Sequence, residues 1–303
     1  MEETWDCVVV GGGAAGLSAG LVLGRARRRT LLVDAGEQSN LAAEGVGGLL
    51  GNDRRPPAEL YAAGREEIGR HPSVEIRSGE KVLDARAEGS GFELELGDGS
   101  RIQSRKLLLA PGVEYRPPDL PGLRERWGGA VFHCPFCHGW EVREGRLGLL
   151  GGGEGGVQKA LLLRAWSDDV TLLTDGEDLP SAQLTRLESA GVKLEERPVE
   201  GLGKSAPAAV RFGDGSELDL DGLLVTVSMH QRSPLASRLG LEFAPQPLRE
   251  ETIAVDLGFE TSVPGVYAAG DVCVPMPSVA SAIASGSTAA ARIVHALMEE
   301  AAE

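Results

Sequence analysis

Apolar residues in this chain fall into two patterns. Short unbroken runs, such as Cys7-Val8-Val9-Val10, Leu31-Leu32-Val33, Leu107-Leu108-Leu109-Ala110 and Leu149-Leu150, read as parallel strands buried on both faces. In contrast, Val74-Glu75-Ile76-Arg77 and Phe92-Glu93-Leu94-Glu95-Leu96 alternate apolar and polar, as half-exposed antiparallel strands do. Asp98-Gly99 marks a hairpin turn after the second of these. Helical spacing covers 58–70, and a helix of small residues is predicted from Val279 to Met298. Turn formers crowd 37–60, which predicts a loop there.

The buried runs are punctuated by glycine in a repeated way. A strand at Trp5–Val10 leads into Gly11-Gly12-Gly13-Ala14-Ala15-Gly16, a helix to about Arg28, and a second strand that ends at Asp34. Strand, Gly-x-Gly-x-x-Gly, helix, strand and acid, with the acid 23 residues after the first glycine, is a dinucleotide-binding pattern. The first glycine makes the tight turn and the second admits a pyrophosphate. The third lets helix and strand pack closely, and the acid takes the ribose hydroxyls. The pattern restarts at Arg146–Leu150, followed by Gly151-Gly152-Gly153-Glu154-Gly155-Gly156, a helix to about Trp166, and a strand ending at Thr174-Asp175. An α/β fold is expected, with two doubly wound Rossmann-like domains (dinucleotide-binding, three-layer ββα type) and a small antiparallel β element.

Composition narrows the partners. With 303 residues the chain is long enough for two domains. Its net charge of -15 argues against nucleic acid and against an anionic membrane surface. The one basic cluster, Arg25, Arg27, Arg28 and Arg29, falls where the first helix should end and suits the helix dipole. Four cysteines are too few for a secreted disulfide framework. Acidic Glu2, Glu3 and Asp6 precede the apolar run Cys7–Gly24, which is unlike a signal peptide, and no other stretch would span a bilayer. A cytoplasmic protein is expected.

The candidate chemistry lies in His133-Cys134-Pro135-Phe136-Cys137-His138. Pro135 suits the first position of a helix and makes Cys134 its N-cap, a setting that lowers thiol pKa. Taken alone, Cys-x-x-Cys fits a redox pair, half a zinc site or a haem anchor. Zinc needs a second ligand pair, and His71, His230 and His295 have no such spacing, so no metal is expected. Haem attachment at Cys-x-x-Cys-His requires export. A redox pair fits best. His138 is either its proton carrier or a packing residue against Trp140. Phe136 and Trp140 read as core aromatics, or as a dry wall over a cofactor.

Taken in order, several motifs resemble the low-molecular-weight thioredoxin reductase family of flavoprotein disulfide oxidoreductases. They are the first glycine motif, Ala110-Pro111-Gly112, the cysteine pair, the second glycine motif and Pro264-Gly265-Val266-Tyr267-Ala268-Ala269-Gly270-Asp271. The resemblance covers essentially the whole chain. It implies a discontinuous FAD domain, 1–114 and 246–303, and an inserted NAD(P)-binding-like domain, 115–245, that carries the cysteines. The linkers would be 115–122 and 233–247, and the protein a homodimer. By position, Gly11, Gly13, Ala14, Ala15, Gly16, Asp34, Gly112, Gly270, Asp271, Ser278 and Val279 would hold FAD, with Ser278 standing where the family usually has Gln. Gly151, Gly153 and Gly156 would form the NAD(P) loop. Cys137 would face the flavin, Cys134 would exchange with substrate, and His138 would move the proton.

Two positions depart from the family pattern. NADPH-using members carry a basic cluster after the second motif to grip the 2′-phosphate, whereas here the stretch is Thr174-Asp175-Gly176-Glu177-Asp178. An NADPH 2′-phosphate site is therefore absent by expectation, which leaves NADH, or no nicotinamide at all. His138 also stands where typical members have an Asp. Cys-x-x-Cys-His resembles the dithiol oxidase branch, which passes electrons from small-molecule dithiols through FAD to oxygen. The expected function is FAD-dependent thiol-disulfide exchange with a thioredoxin-like protein or a small-molecule dithiol or disulfide. The alternatives are an oxygen-dependent dithiol oxidase, a reductase driven by NADH or a donor such as ferredoxin, and a non-turning flavoprotein redox sensor.

Overall fold

A computed structural model describes residues 4–244 and 251–302. Along the chain come β1 (Trp5–Val10), α1 (Ala14–Arg25), β2 (Thr30–Asp34), α2 (Pro57–Ile68), β3 (Val74–Ser78), β4 (Val82–Glu88), β5 (Gly91–Leu96), β6 (Arg101–Leu109) and β7 (Val113–Arg116). The middle of the chain forms β8 (Val131–Phe132), α3 (Pro135–His138), β9 (Arg146–Leu150), α4 (Gly153–Leu163), β10 (Asp169–Leu173), α5 (Ser181–Ser189), β11 (Lys193–Glu195), β12 (Val199–Leu202), β13 (Val210–Phe212), β14 (Glu217–Leu218) and β15 (Gly222–Val225). Last come β16 (Ser228–Gln231), α6 (Leu235–Arg238), β17 (Val266–Ala268) and α7 (Val279–Glu300).

Two compact units result. Among the described residues the first takes 4–41, 57–115, 229–244 and 251–302, and the second takes 42–56 and 116–228. These bounds depart from the sequence expectation in two places. Residues 42–56 join the second unit, where a Cβ on Gly47 would fall 2.3 Å from the Cys137 carbonyl oxygen and one on Gly128 would fall 2.6 Å from that of Ala42. Residues 229–244, expected in the inserted domain with a linker from 233, belong to the first unit because Leu235, Ala236 and Leu241 are buried in its core. The boundary expected at 245/246 lies outside the described residues.

In the first unit β3, β2, β1 and β6 form a parallel array. Besides β1, β6 serves two further partners along its length: residues 101–104 pair antiparallel with β5, and 107–109 pair parallel with β17. The β4–β5–β6 meander thereby continues the sheet as the antiparallel element expected from the alternation at Phe92–Leu96. The other alternating run, Val74–Arg77, is instead β3 and pairs parallel with β2, its alternation reflecting the half-exposed edge of the sheet. Cys7, Val8, Val9, Leu31, Leu32, Leu107 and Leu108 are fully buried, as their unbroken apolar runs predict. At about 1.5–3 kcal/mol for each large side chain, such burial dominates the stability of the unit.

The second unit repeats the plan with an all-parallel sheet of order β11-β10-β9-β15-β8, and adds a three-stranded antiparallel sheet, β12-β13-β14. The fold is α/β with two Rossmann-like halves. No helix among the described residues is long and apolar enough to cross a membrane.

Candidate functional site

In the first unit the glycine loop is tied to the strand beside it. Gly11 N–H donates to the Val33 carbonyl at 2.8 Å, and Gly11 adopts φ +109°, a backbone conformation that side chains disfavour. A Cβ on Gly16 would fall 1.8 Å from the Gly11 carbonyl oxygen, so only glycine lets α1 start this close to the loop. Gly13 is the N-cap of α1 and brings no side-chain bond to the first turn, which Ala14 and Ala15 begin. The N–H groups of a first turn have no intrahelical partner, so they are left for an external acceptor. α7 differs, because Ser278 Oγ accepts from Ser281 N–H at 3.0 Å and satisfies part of that helix's first turn internally.

Asp34 closes the other side of the loop. It is buried, and its Oδ1 accepts from Gly36 N–H at 3.0 Å, Gln38 Nε2 at 2.9 Å and Gly12 N–H at 3.3 Å. Gln38 also donates to the Gly12 carbonyl oxygen, and Arg65 stands 3.5 Å from Oδ2. A Cβ on Gly12 would lie 2.4 Å from Asp34 Oδ2, so the bare α-carbon is what admits the carboxylate. Bare backbone, free first-turn donors and a fixed carboxylate suit the pyrophosphate and ribose of an adenine dinucleotide, and so fit FAD.

The remaining expected FAD residues lie in the same unit. Gly112 follows β6 with φ +70°. Gly270 has φ +78°, and its N–H donates to Ser285 Oγ at 2.9 Å. Asp271 Oδ2 accepts from the Tyr115 hydroxyl at 3.0 Å. Val279 opens α7, and the hydroxyl of Ser278 is engaged as its cap. Sequence reading missed Gln38, Tyr115 and Ser285. Their only sequence signal is closeness to a motif, and the long-range pairing that gives them a role is visible only in the fold.

In the second unit, Cys134 is the N-cap of α3, with Pro135 in the first turn. Its carbonyl accepts from Cys137 and His138 N–H, each at 3.2 Å. The turn brings the two Sγ atoms to 2.6 Å, within reach of disulfide closure. The Cys134 thiol is held at about 7, first by a hydrogen bond from Cys137 and then by the Cys137 and Phe136 backbone N–H groups, against the opposing effect of burial. Gly139 and Gly47 crowd the helix from two sides. A Cβ on Gly139 would meet the Trp166 ring at 2.8 Å, and one on Gly47 the Cys137 carbonyl.

Two imidazoles flank the pair. His138 stacks on Phe132 with ring centroids 5.8 Å apart. Burial lowers its pKa, against the raising effects of Glu141 and of a hydrogen bond to the Gly128 backbone. His133 stacks on Trp127 at 5.5 Å and is pushed down to about 4 by burial, then by His138 and Lys159. Phe136 and Trp140, read from sequence as core aromatics, are instead 65% and 59% exposed. Phe136 meets Trp166 edge-on at 5.3 Å, and Arg143 stacks 3.9 Å over Trp140. Among the described residues no cluster of three His, Cys, Asp or Glu could hold a metal ion.

The second glycine loop copies the first. Gly151 N–H donates to the Leu173 carbonyl at 3.0 Å, α4 begins at Gly153, and a Cβ on Gly156 would fall 2.4 Å from the Gly151 carbonyl oxygen. Asp175, in the acidic stretch, accepts from Val199 N–H at 2.7 Å and so holds a neighbouring segment in place.

Comparisons agree with this construction. Residues 5–289 match the family model for pyridine nucleotide-disulphide oxidoreductase. Thioredoxin reductase tcpT of Claviceps purpurea is 34% identical over 299 residues, covering 94% of this chain and 91% of that protein. An oxidoreductase from Agrobacterium tumefaciens superposes with TM-score 0.92 at 35% identity, covering 98% of this chain and 99% of that one. The structure of HlmI gives TM-score 0.92 at 37% identity, over 99% and 94% of the two chains. With two glycine-loop units, and a close thiol pair in the second, the chain belongs to the pyridine nucleotide-disulphide oxidoreductase family, as a thioredoxin reductase-like, FAD-dependent disulfide oxidoreductase.

Proposed function

We propose that this enzyme exchanges a disulfide with an external thiol compound at Cys134, with Cys137 as the resolving thiol. The observation that carries the reading is the 2.6 Å approach of the two sulfurs, with Cys134 held at about 7. A thiol at that value is roughly half thiolate at neutral pH while keeping good nucleophilicity. In the reducing direction, Cys134 thiolate attacks a substrate disulfide, forming a mixed disulfide and releasing one substrate thiolate. Cys137 then attacks Cys134 Sγ, which releases the second thiolate and leaves the pair oxidised by two electrons. In the reverse direction a substrate dithiol reduces the pair.

FAD would be held by the Gly11–Gly16 loop, Asp34, Gly112, Gly270 and Asp271, with the opening of α7 at Ser278 and Val279. When bound, its isoalloxazine supplies the two-electron chemistry that regenerates the pair. His138 would take the proton from an incoming thiol and return it to a departing one, and its place next to Cys137 on α3, with a lowered pKa, supports that role. Partners of the expected kind are a thioredoxin-like protein or a small-molecule dithiol, with the chain working as a homodimer. A reducing cytoplasmic setting accords with Cys7 and Cys273 being buried as reduced thiols.

The neutral imidazole at His138 also favours a second reading, the oxygen-dependent dithiol oxidase, since its lowered pKa leaves it able to accept a proton from a substrate thiol. Anaerobic absorbance of the flavin decides the direction. Bleaching by NADH or NADPH supports the reductase. Bleaching by dithiol alone, reversed by air with peroxide release, supports the oxidase. If Cys134→Ser leaves every dithiol and disulfide turnover intact, the exchange reading is wrong.

A further inference from the structure

The two glycine loops superimpose in their bonding, and this shows that the second unit has moved its acid. Gly11 N–H bonds to Val33, and Gly151 N–H bonds to Leu173. The residues that follow, Asp34 and Thr174, therefore hold the same position. Thr174 is too short to do what Asp34 does, and its buried Oγ1 has no hydrogen-bond partner among the described residues.

Three residues later a carboxylate returns to that corner. Asp175 at φ +55° and Gly176 at φ +84°, with Glu177 N–H bonded to the Thr174 carbonyl at 3.1 Å, form a type I′ turn. The turn is fixed from outside, because Gly176 N–H donates to Glu196 and Asp175 accepts from Val199. It delivers the Glu177 side chain onto the glycine loop. A Cβ on Gly152 would fall 1.8 Å from Glu177 Oε2, just as one on Gly12 would fall 2.4 Å from Asp34 Oδ2.

The other charges near the loop have separate duties. Glu154, in the first turn of α4, is turned to Arg186 at 2.7 Å. Lys159 Nζ lies 3.1 Å from Thr226 Oγ1 and makes no ion pair among the described residues. Thr226 Oγ1 is in turn 3.3 Å from where a Cβ on Gly151 would stand, so this half-buried cation lies beside the loop. A glycine loop with one uncompensated cation beside it and a carboxylate at the ribose corner is the chemistry of a nucleoside diphosphate with a free 2′-hydroxyl.

We propose that Glu177 is the nucleotide-discriminating residue of the second unit, accepting from the ribose diol of an unphosphorylated adenine dinucleotide and repelling a 2′-phosphate. The inference extends the oxidoreductase reading by naming the residue that would choose its nucleotide. It is tested on the FAD-loaded enzyme by titration calorimetry with ADP-ribose and its 2′-phosphorylated analogue, neither of which can reduce flavin. ADP-ribose should bind at least about tenfold more tightly than the 2′-phosphate. Glu177→Gln should narrow that gap and Glu177→Arg should invert it; Glu177 is exposed, so neither change enters the core. Binding of neither probe to the wild type, or a preference left unchanged in Glu177→Gln, would overturn the proposal. Dithiol-driven bleaching of the wild-type flavin reports on the exchange reading independently, so either idea can fail without the other.

Discussion

Gly286 on α7 lies directly against Ala15 on α1, where a Cβ at 286 would fall 2.1 Å from the Ala15 carbonyl oxygen. Ala15 stands in the first turn of α1, so the contact sets the height of the helix end that is expected to face the FAD pyrophosphate. Ala282, Ser285, Ala289 and Ala290 extend the same small-residue stripe, all buried. Gly286→Val should force the helices apart and cost about 1–3 kcal/mol by overpacking. The measurable outcome is a lower thermal midpoint together with reduced flavin retained through purification. A stable variant with full flavin would show that this contact has no part in shaping the loop.

What could be read from sequence follows how local the determinant is. The glycine loops were legible because Gly11, Gly13 and Gly16 encode turn and packing within six residues. Cys134 as N-cap was legible from Pro135 for the same reason. Gly47 was not, since its requirement comes from the Cys137 carbonyl 90 positions away. Nor was the division of labour in the acidic stretch. Asp175 and Glu177 look alike in sequence, and only the turn between them sends one to Val199 and the other to Gly152. The exposure of Phe136 and Trp140 runs against the rule that aromatics are usually buried, because α3 spans only Pro135–His138 and leaves Trp140 in the turn beyond it.

The Tyr115 hydroxyl donates to Asp271, a pairing across 156 positions that ties the end of β7 to the acid following β17. Tyr115→Phe removes the donor while keeping the ring. The loss of one hydrogen bond to a carboxylate is worth about 1.5 kcal/mol or more, so flavin release in dilute guanidinium should speed up roughly tenfold. Release at the wild-type rate would separate Asp271 from the cofactor.

Cys134 owes its lowered pKa first to Cys137. The thiolate is the reactive form, so alkylation of the reduced enzyme by iodoacetamide should rise with pH and reach half its plateau at about 7. In Cys137→Ala the side-chain donor is gone, so the midpoint at Cys134 should move upward. Mass spectrometry of the labelled peptide reads both effects. A midpoint unmoved by the substitution would assign the shift to the backbone N–H groups of α3 instead.

His138 gives the sharpest pH test. Burial lowers its pKa, so its neutral form, the one that can accept a proton, predominates at pH 7 and persists below the usual imidazole range. In the oxidising direction the wild type should therefore take up dithiol electrons at a rate nearly flat from neutral to mildly acidic pH. His138→Gln keeps a polar side chain of similar size but removes the base, so only the small fraction of substrate already ionised could attack. The rate at pH 7 should fall about 10²-fold and then climb with pH until the substrate thiol itself ionises. Stopped-flow flavin absorbance across pH 5 to about 9 separates the cases. A flat profile at a uniformly lower rate would indicate that His138 only packs against Phe132, whereas recovery at high pH marks a lost proton acceptor.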